Sequence, residues 1–288
     1  RSVARRLKEL RPDVLHSRNR GTQIDGALAG VAARVPRRVH GYHGRDLSNA
    51  KGESFRRRAL GRLAGRAHHR VITLTDTMRR EYRRDYGTAE EKMRVVPNGV
   101  DLDRLEGFAP DESLRSPFTV CTVGRLDAVK NLPLLMRAFA AMSARGENDR
   151  LVIAGGGPMR DELEALRTEL GPAGAGSEFL GERRDAPSVM RAADVYVQPS
   201  FYEGMSNTIV EAMAREVPVI ATEVGGNPDV TGREGAARLV PSDDLAAMTA
   251  ALDDLRRDET ARRELARRGR ERVRDRFTMQ RMVEGYTR

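Results

Sequence analysis

Short apolar runs alternate with amphipathic stretches along nearly the whole chain, and the alternation is sharpest between Val195 and Asp229. Val195, Tyr196 and Val197 form an apolar run that stops at Pro199, as a buried parallel strand would. A polar loop with Glu203, Gly204 and Met205 follows. Ser206 or Asn207 then caps a helix whose apolar positions, Ile209, Val210, Ala212 and Met213, keep a 3.6-residue period. A second strand, Val217 to Ala221, leads to a Gly225-Gly226 turn. Strand, loop, capped helix and strand make a βαβ unit, and sheets built of such units bind ligands beyond the carboxyl ends of their strands.

The same reading extends in both directions. Before this unit, helices are expected over 1–10, 21–34, 54–69 and 77–86, with strands at 13–17, 37–44, 70–75 and 93–99. Residues 101–117 follow Pro97 and read as a linker. Strand 118–124, helix 132–143, the strand and Gly-rich turn of LVIAGGGP (151–158), helix 159–170, strand 178–181 and helix 185–193 come next. Beyond Asp229 lie a short strand near 237–240, helices 243–256 and 258–276, and a last helix 279–288 capped by Thr278. The expected fold class is α/β, with parallel, doubly wound sheets carrying helices on both faces. The chain has no initiator Met, no signal-peptide pattern and no strand before the first helix, and it reads as beginning inside a domain.

Composition narrows the function classes. A chain of 288 residues accommodates two domains with real cores. No apolar run reaches membrane-spanning length. The single cysteine, Cys121, lies within an apolar segment; it excludes a disulfide framework and reads as a small core residue. The absence of Trp and the few Phe and Tyr argue against a stacking surface for single-stranded nucleic acid. Charge is uneven. Residues 1–109 hold 25 Lys and Arg against 13 Asp and Glu, whereas residues 110–288 hold 26 against 29. The first half therefore faces an anionic partner (nucleic acid, a membrane surface or a phosphorylated substrate), unless a generally arginine-rich composition inflates the number. Helix 54–69 carries Phe55, Ala59, Leu60, Leu63 and Ala67 on one side and Arg56, Arg57, Arg58, Arg62 and Arg66 around the rest. Either this helix lies on an anionic bilayer, or its apolar stripe packs on the sheet and its arginines are solvated.

Candidate chemistry gathers at strand ends. Strand 118–124 finishes at Gly124, and Arg125 and Lys130 precede a helix amino end, a good arrangement for an anion. Glu203 and Glu211 flank the next helix start and could accept hydrogen bonds from hydroxyls of a phosphate-bearing ligand; the plain alternative is a dipole partner and a solvated helix residue. His43 stands at a strand's carboxyl end beside Gly44 and could touch a ligand or serve the structure. The 155–157 glycine turn lacks the dinucleotide fingerprint, and no Walker A loop is present.

Taken together, VGRLDAVKN, LVIAGGGP, FLGERRDAPSVMRAADVYVQPSFYEGMSNTIVEAMA and VVPNGVD resemble glycosyltransferase family four, of GT-B fold. Glu203 and Glu211, with seven residues between, match that family's Glu-seven-Glu motif. More narrowly, HGYHGRDLS, EGMSNTIVEAMA and ATEVGGNPDV resemble the sugar transferases that accompany PEP-CTERM and exosortase exopolysaccharide systems. The resemblance implies two Rossmann-like domains facing across a cleft: residues 1–109, an incomplete acceptor-side domain; residues 110–276, the nucleotide-sugar domain; and residues 277–288, a helix crossing back. It implies retaining transfer from a nucleotide diphosphate sugar to a glycan or lipid-linked acceptor, without metal or cofactor. Arg125 and Lys130 would then hold the diphosphate beside Gly124, Glu211 the ribose and Glu203 the donor sugar. Gly204, Met205, Ser206 and Asn207 would offer backbone N–H groups, and His43 would reach the donor sugar. Asn98 and Gly99 would form the family's turn at the domain junction. The implied place is the cytoplasm, at the inner face of the cell membrane, with the basic first half against anionic lipid and no nucleic-acid partner. The family's N-terminal strand and glycine-rich loop have no counterpart here, so the chain reads as a fragment. The alternatives are a noncatalytic nucleotide-sugar-binding fragment and a sugar-nucleotide epimerase of the same fold.

Overall fold

Two parallel sheets organise the chain, one in each of two compact units, Arg1–Pro97 with Met282–Arg288, and Asn98–Arg281. The structure, a computed structural model, describes residues 2–44, 54–142, 145–146, 148–232 and 235–287. Residues 45–48 of the HGYHGRDLS segment lie outside the described residues, as do residues 1, 143 and 288 of the expected helices.

The first unit runs α1 (Ser2–Leu10), β1 (Val14–Arg18), α2 (Gln23–Ala32), β2 (Arg37–Tyr42), α3 (Phe55–Ala67), β3 (Arg70–Thr73), α4 (Asp76–Tyr86) and β4 (Met93–Val95). The sheet order β1-β2-β3-β4 follows the chain, every pair parallel. The helices neighbour one another in the same sequence, α1 on α2, α2 on α3, α3 on α4. Tyr42, Val71, Met78, Tyr82 and Met93 are buried between sheet and helices.

How α3 packs decides between the two readings of its apolar stripe. The helix turns Gly61, Ala64 and Gly65 inward, not its large side chains. Gly61 lies flat against Tyr86, where a Cβ would stand 2.5 Å from the ring, and a Cβ on Gly65 would stand 2.8 Å from Thr88 Oγ1. Side-chain-free positions let the helix approach this closely. Phe55, Leu60 and Leu63 are consequently turned outward, 83%, 49% and 58% exposed. The stripe does not pack on the sheet.

The second unit runs α5 (Leu102–Glu106), β5 (Thr119–Val123), α6 (Leu132–Ala141), β6 (Arg150–Ala154), α7 (Arg160–Glu169), β7 (Ser177–Gly181), α8 (Ala186–Ala192), β8 (Val195–Gln198), α9 (Asn207–Ala214), β9 (Val219–Thr222), α10 (Asn227–Thr231), β10 (Arg238–Val240), α11 (Leu245–Arg257) and α12 (Glu259–Arg276). The last helix, α13 (Met279–Thr287), begins in this unit and ends in the first. Its start is capped by the Thr278 hydroxyl, which accepts from Arg281 N at 3.2 Å. The sheet order is β10-β9-β8-β5-β6-β7, all parallel. From β5 the chain winds outward through β6 and β7, then returns and winds the other way through β8, β9 and β10. The reversal falls between β5 and β8, and in such sheets the carboxyl ends flanking the reversal open a crevice. Phe118, Val120, Leu135, Phe139, Leu151 and Ile153 form part of the apolar core beneath it. Cys121 is fully buried on β5, and burial pushes its thiol far up in pKa.

Residues 101–117, expected as a linker, are more structured than that. Buried Arg215, at the end of α9, donates to the carbonyls of Leu105 and Phe108. Arg270 of α12 donates to Glu106 at 2.6 Å and to the Ala214 carbonyl at 3.1 Å. These bonds fasten the segment to α9 and α12, within the unit that begins at Asn98. The short α10 after Gly226 is a further element beyond those expected from the sequence. Among the described residues, no helix is long and apolar enough to cross a membrane, and no group of three His, Cys, Asp or Glu side chains could hold a metal ion.

Candidate active site

The crevice is built from loops that glycines bring together. β5 ends at Gly124, whose φ of +155° suits glycine. Its N–H donates to the Ala154 carbonyl at 2.9 Å, and Leu126 N donates to Gly156 O at 2.8 Å. At Gly155, φ is +144° and an added Cβ would lie 1.8 Å from Gly124 O. The glycine-rich turn after β6 therefore serves close approach between two backbones. Gly124, Arg125, Lys130 and Gln198 line the pocket at the reversal, and Gly124 and Arg125 also border a cavity of about 370 Å³ with Gly155, Gly156, Glu182 and Arg183.

Lys130 sits in a single 3-10 turn, Ala128–Lys130, immediately before α6. Its ammonium donates to Glu203 Oε1 across 2.7 Å, with side-chain exposures of 23% and 11%. The bond joins the loop after β5 to the loop after β8, across the reversal. Arg125 lines the same pocket, but its guanidinium reaches outward, 71% exposed, with Asp127 at 3.5 Å. Screening by water leaves so exposed a pair little strength, so Arg125 can turn to a bound anion.

Glu203 is held from three directions. Besides Lys130, its Oε1 accepts from Gln198 Nε2 at 2.8 Å and from Ser200 Oγ at 2.7 Å. Gln198, 2% exposed at the end of β8, receives hydroxyls on its own oxygen, Tyr196 at 2.6 Å and Thr208 at 3.1 Å. Those donors fix the amide's orientation, nitrogen toward the carboxylate. The Glu203 carbonyl accepts from Gly226 N at 2.8 Å. Gly225, at φ +50°, leaves that carbonyl room that a Cβ would fill at 2.0 Å. The other carboxylate oxygen, Oε2, has no donor among the described residues.

Ser206 is the cap of α9, accepting from Ile209 N at 3.3 Å, and Asn207 is the first helical residue. Gly204 adjoins Glu203 in the loop, and Met205 is buried with its sulfur accepting from Asn98 N at 3.3 Å. The Asn98 amide donates to Asn207 Oδ1 at 3.0 Å. Glu211, in the second turn of α9, is partly buried; burial raises its carboxyl above the usual range, and Arg104 pulls it partway back. Its carboxylate accepts no hydrogen bond among the described residues, unlike Glu203. In the first unit, His43 follows β2, and Arg18 Nε donates to its Nε2 at 3.2 Å. Burial, then Arg18, lowers its pKa, so the ring is a neutral acceptor at that nitrogen.

The structure thus brings Gly124, Arg125, Lys130 and Glu203 to one crevice and sets Ser206, Asn207 and Glu211 on the helix that follows. Sequence reasoning missed Gln198, Ser200, Tyr196 and Thr208. One signal was available: Gln198 ends an otherwise apolar strand, and a buried amide must find partners.

Two family descriptions match this sequence, "Glycosyltransferase Family 4" over residues 1–104 and "Glycosyl transferases group 1" over residues 117–258. The chain belongs to the family-four glycosyltransferases. It is 28% identical over 271 residues to the UDP-Gal:alpha-D-GlcNAc-diphosphoundecaprenol alpha-1,3-galactosyltransferase of Escherichia coli, covering 87% of this chain and 68% of that one. An uncharacterized glycosyltransferase of Methanocaldococcus jannaschii is 30% identical over 243 residues, 77% of this chain and 60% of that one. This glycosyltransferase chain therefore spans about two-thirds or less of the length of those relatives. Among solved structures, HepE of Anabaena in complex with UDP superposes with a TM-score of 0.87 at 22% identity, covering 99% of this chain and 80% of that one. The expected GT-B fold is the fold of this glycosyltransferase.

Proposed function

We propose that the protein is a retaining glycosyltransferase that moves a sugar from a nucleoside diphosphate sugar to a glycan or lipid-linked acceptor. The setting is exopolysaccharide or cell-surface glycan synthesis at the inner face of the cell membrane. The observation that carries the reading is the Lys130–Glu203 pair at the reversal of the second sheet, one cation and one acid fixed beside a crevice.

In this reading the diphosphate lies along Lys130 and Arg125. Negative charge grows on the leaving diphosphate as the bond to the sugar breaks; Lys130, already in place, and Arg125, turning in from solvent, stabilise that charge without a metal ion. Glu203, with Oε1 already occupied by three donors, presents Oε2 to a sugar hydroxyl. Glu211, whose carboxylate accepts no hydrogen bond among the described residues, accepts from ribose hydroxyls. Backbone N–H groups of residues 204–207 are assigned to the same ligand.

Calorimetric titration of UDP-, GDP- and ADP-sugars, followed by anomeric analysis of the product with each acceptor class, tests the reading. Binding of one donor and a product of unchanged anomeric configuration is expected. Donor binding without any transfer would favour a noncatalytic binding protein, and interconversion of the free donor would favour an epimerase.

A further inference from the structure

Glu203 leans on a helix that does not stand by itself. α10 has five residues, Asn227–Thr231, and a helix of that length is unstable in isolation, so neighbours must hold it. At its amino end, Gly226 N donates to the Glu203 carbonyl at 2.8 Å, and the buried Asn227 amide donates to Thr222 O, at the end of β9, at 3.0 Å. Within the helix, Val230 N donates to Gly226 O at 3.0 Å and the buried Thr231 hydroxyl to Asn227 O at 2.9 Å. The last carbonyls of a helix have no partner inside it. Here Arg272 of α12 meets two of them: Nε donates to Val230 O at 2.6 Å and Nη2 to Asp229 O at 2.9 Å. Gly232 makes room, for its φ is +72° and a Cβ there would stand 2.7 Å from the Arg272 guanidinium.

We infer that Arg272 is a positioning residue for sugar transfer, holding the backbone of Glu203 through α10. A planar cation with a fork of N–H donors fits two successive carbonyls, and positive charge suits a helix's carboxyl end. The connection runs from the guanidinium to the carbonyls of Asp229 and Val230, along the single turn of α10 to Gly226 N, and so to Glu203 O. Arg272 borders a separate cavity of about 360 Å³ with Thr231, Ala236 and Arg276, so it acts on the acid through α10 and not on the donor. Lys130, Gln198 and Ser200 fix the carboxylate of Glu203, whereas Arg272 fixes the main chain from which it springs. A misplacement of about 1 Å at a reacting group costs up to roughly 100-fold in rate, while the diphosphate contacts of Lys130 and Arg125 are left as they are. The inference rests on the role of Glu203 proposed above.

The test compares the unaltered chain with Arg272→Gln, Arg272→Lys and, as a control at an exposed position of α12, Arg274→Gln. Amide hydrogen exchange at Gly226 reads the bond to Glu203 directly and needs no donor. Calorimetry with UDP, GDP and ADP, and hydrolysis of UDP-glucose, GDP-mannose and ADP-glucose without acceptor, separate affinity from turnover. Arg272→Gln should speed exchange at Gly226 roughly 10-fold, as loss of charge-assisted bonds predicts. It should lower turnover roughly 10- to 100-fold, with little change in Kd. Arg272→Lys, with one ammonium for two carbonyls, should recover part of both, and Arg274→Gln should alter neither. Circular dichroism and melting curves confirm folding, and the lysine form keeps the charge and the stem should the glutamine form not fold. Turnover with unchanged exchange at Gly226, or a Kd that rises in step with the loss of turnover, overturns the inference alone. Should no donor turn over in the unaltered chain, the sugar-transfer reading falls and this inference with it.

Discussion

The amide nitrogen of Gln198 donates to Glu203 Oε1 across 2.8 Å, while the amide oxygen receives the hydroxyls of Tyr196 and Thr208. A buried side chain on a rigid strand thereby sets the direction of an acid on a loop. Gln198→Glu replaces that donor with a second carboxylate against Glu203, and two such groups retain a shared proton. We expect kcat to fall about 10- to 100-fold at neutral pH, a loss of hydrogen-bonded positioning of this size being ordinary. KM for the donor should change less, and activity should recover partly as pH is lowered. Steady-state kinetics across pH checks this; a uniform loss at every pH would mean Gln198 serves folding alone.

Glu203→Gln keeps the shape of the side chain and removes its charge. The account expects turnover to suffer more than donor affinity, since the diphosphate is gripped by Lys130 and Arg125. Comparing kcat with the calorimetric Kd of the same variant decides the point.

Gly225→Ala tests the other support of Glu203. The new Cβ would fall 2.0 Å from the Glu203 carbonyl at a φ of +50°. Strain of this kind costs about 1–3 kcal/mol, and the backbone of Glu203 must shift to relieve it. The variant should melt lower and turn over more slowly, whereas Gly87→Ala, at a φ of +63° with open space around it, should cost stability alone.

Two buried histidines predict how the first unit responds to acid. His40 and His68 stack at 5.2 Å. Burial, reinforced by His68 and other neighbouring positive groups, lowers His40 to about 3. Burial also lowers His68 to about 4, partly offset by its bond to the Gln23 carbonyl. Both folded-state values lie below the ordinary 6.5 of an unfolded chain. Between these values the unfolded chain binds more protons than the folded one. The contribution is therefore complete above pH 6.5 and is lost as pH falls toward 4 and then 3. The melting temperature of the first unit should drop over that window, and His40→Asn, which cannot take up that proton, should flatten the curve. A slope unchanged in His40→Asn would contradict the assignment.

Much of this was legible beforehand, for reasons that differ by residue. Strands such as Val195–Gln198 and helices such as α9 follow from apolar runs and a hydroxyl cap, both local properties. Gly124, Arg125, Lys130 and Glu203 were legible because loops at strand ends converge in a parallel sheet. Gln198 was not, because its role depends on which loops meet. Nor was the packing of α3: its apolar period is a local property, but the contact of Gly61 with Tyr86 is set by tertiary approach. The structure inside 101–117 was hidden likewise, its anchors Arg215 and Arg270 lying over a hundred residues away.

The central claim is that a nucleoside diphosphate group binds where Lys130 meets Glu203. Isothermal titration of the preferred nucleoside diphosphate into the unaltered chain and into Lys130→Ala tests it most directly. Loss of one charge-assisted contact, about 1.5–3 kcal/mol, predicts a Kd roughly 10- to 100-fold higher in the variant. Equal affinity in the two proteins would contradict the account.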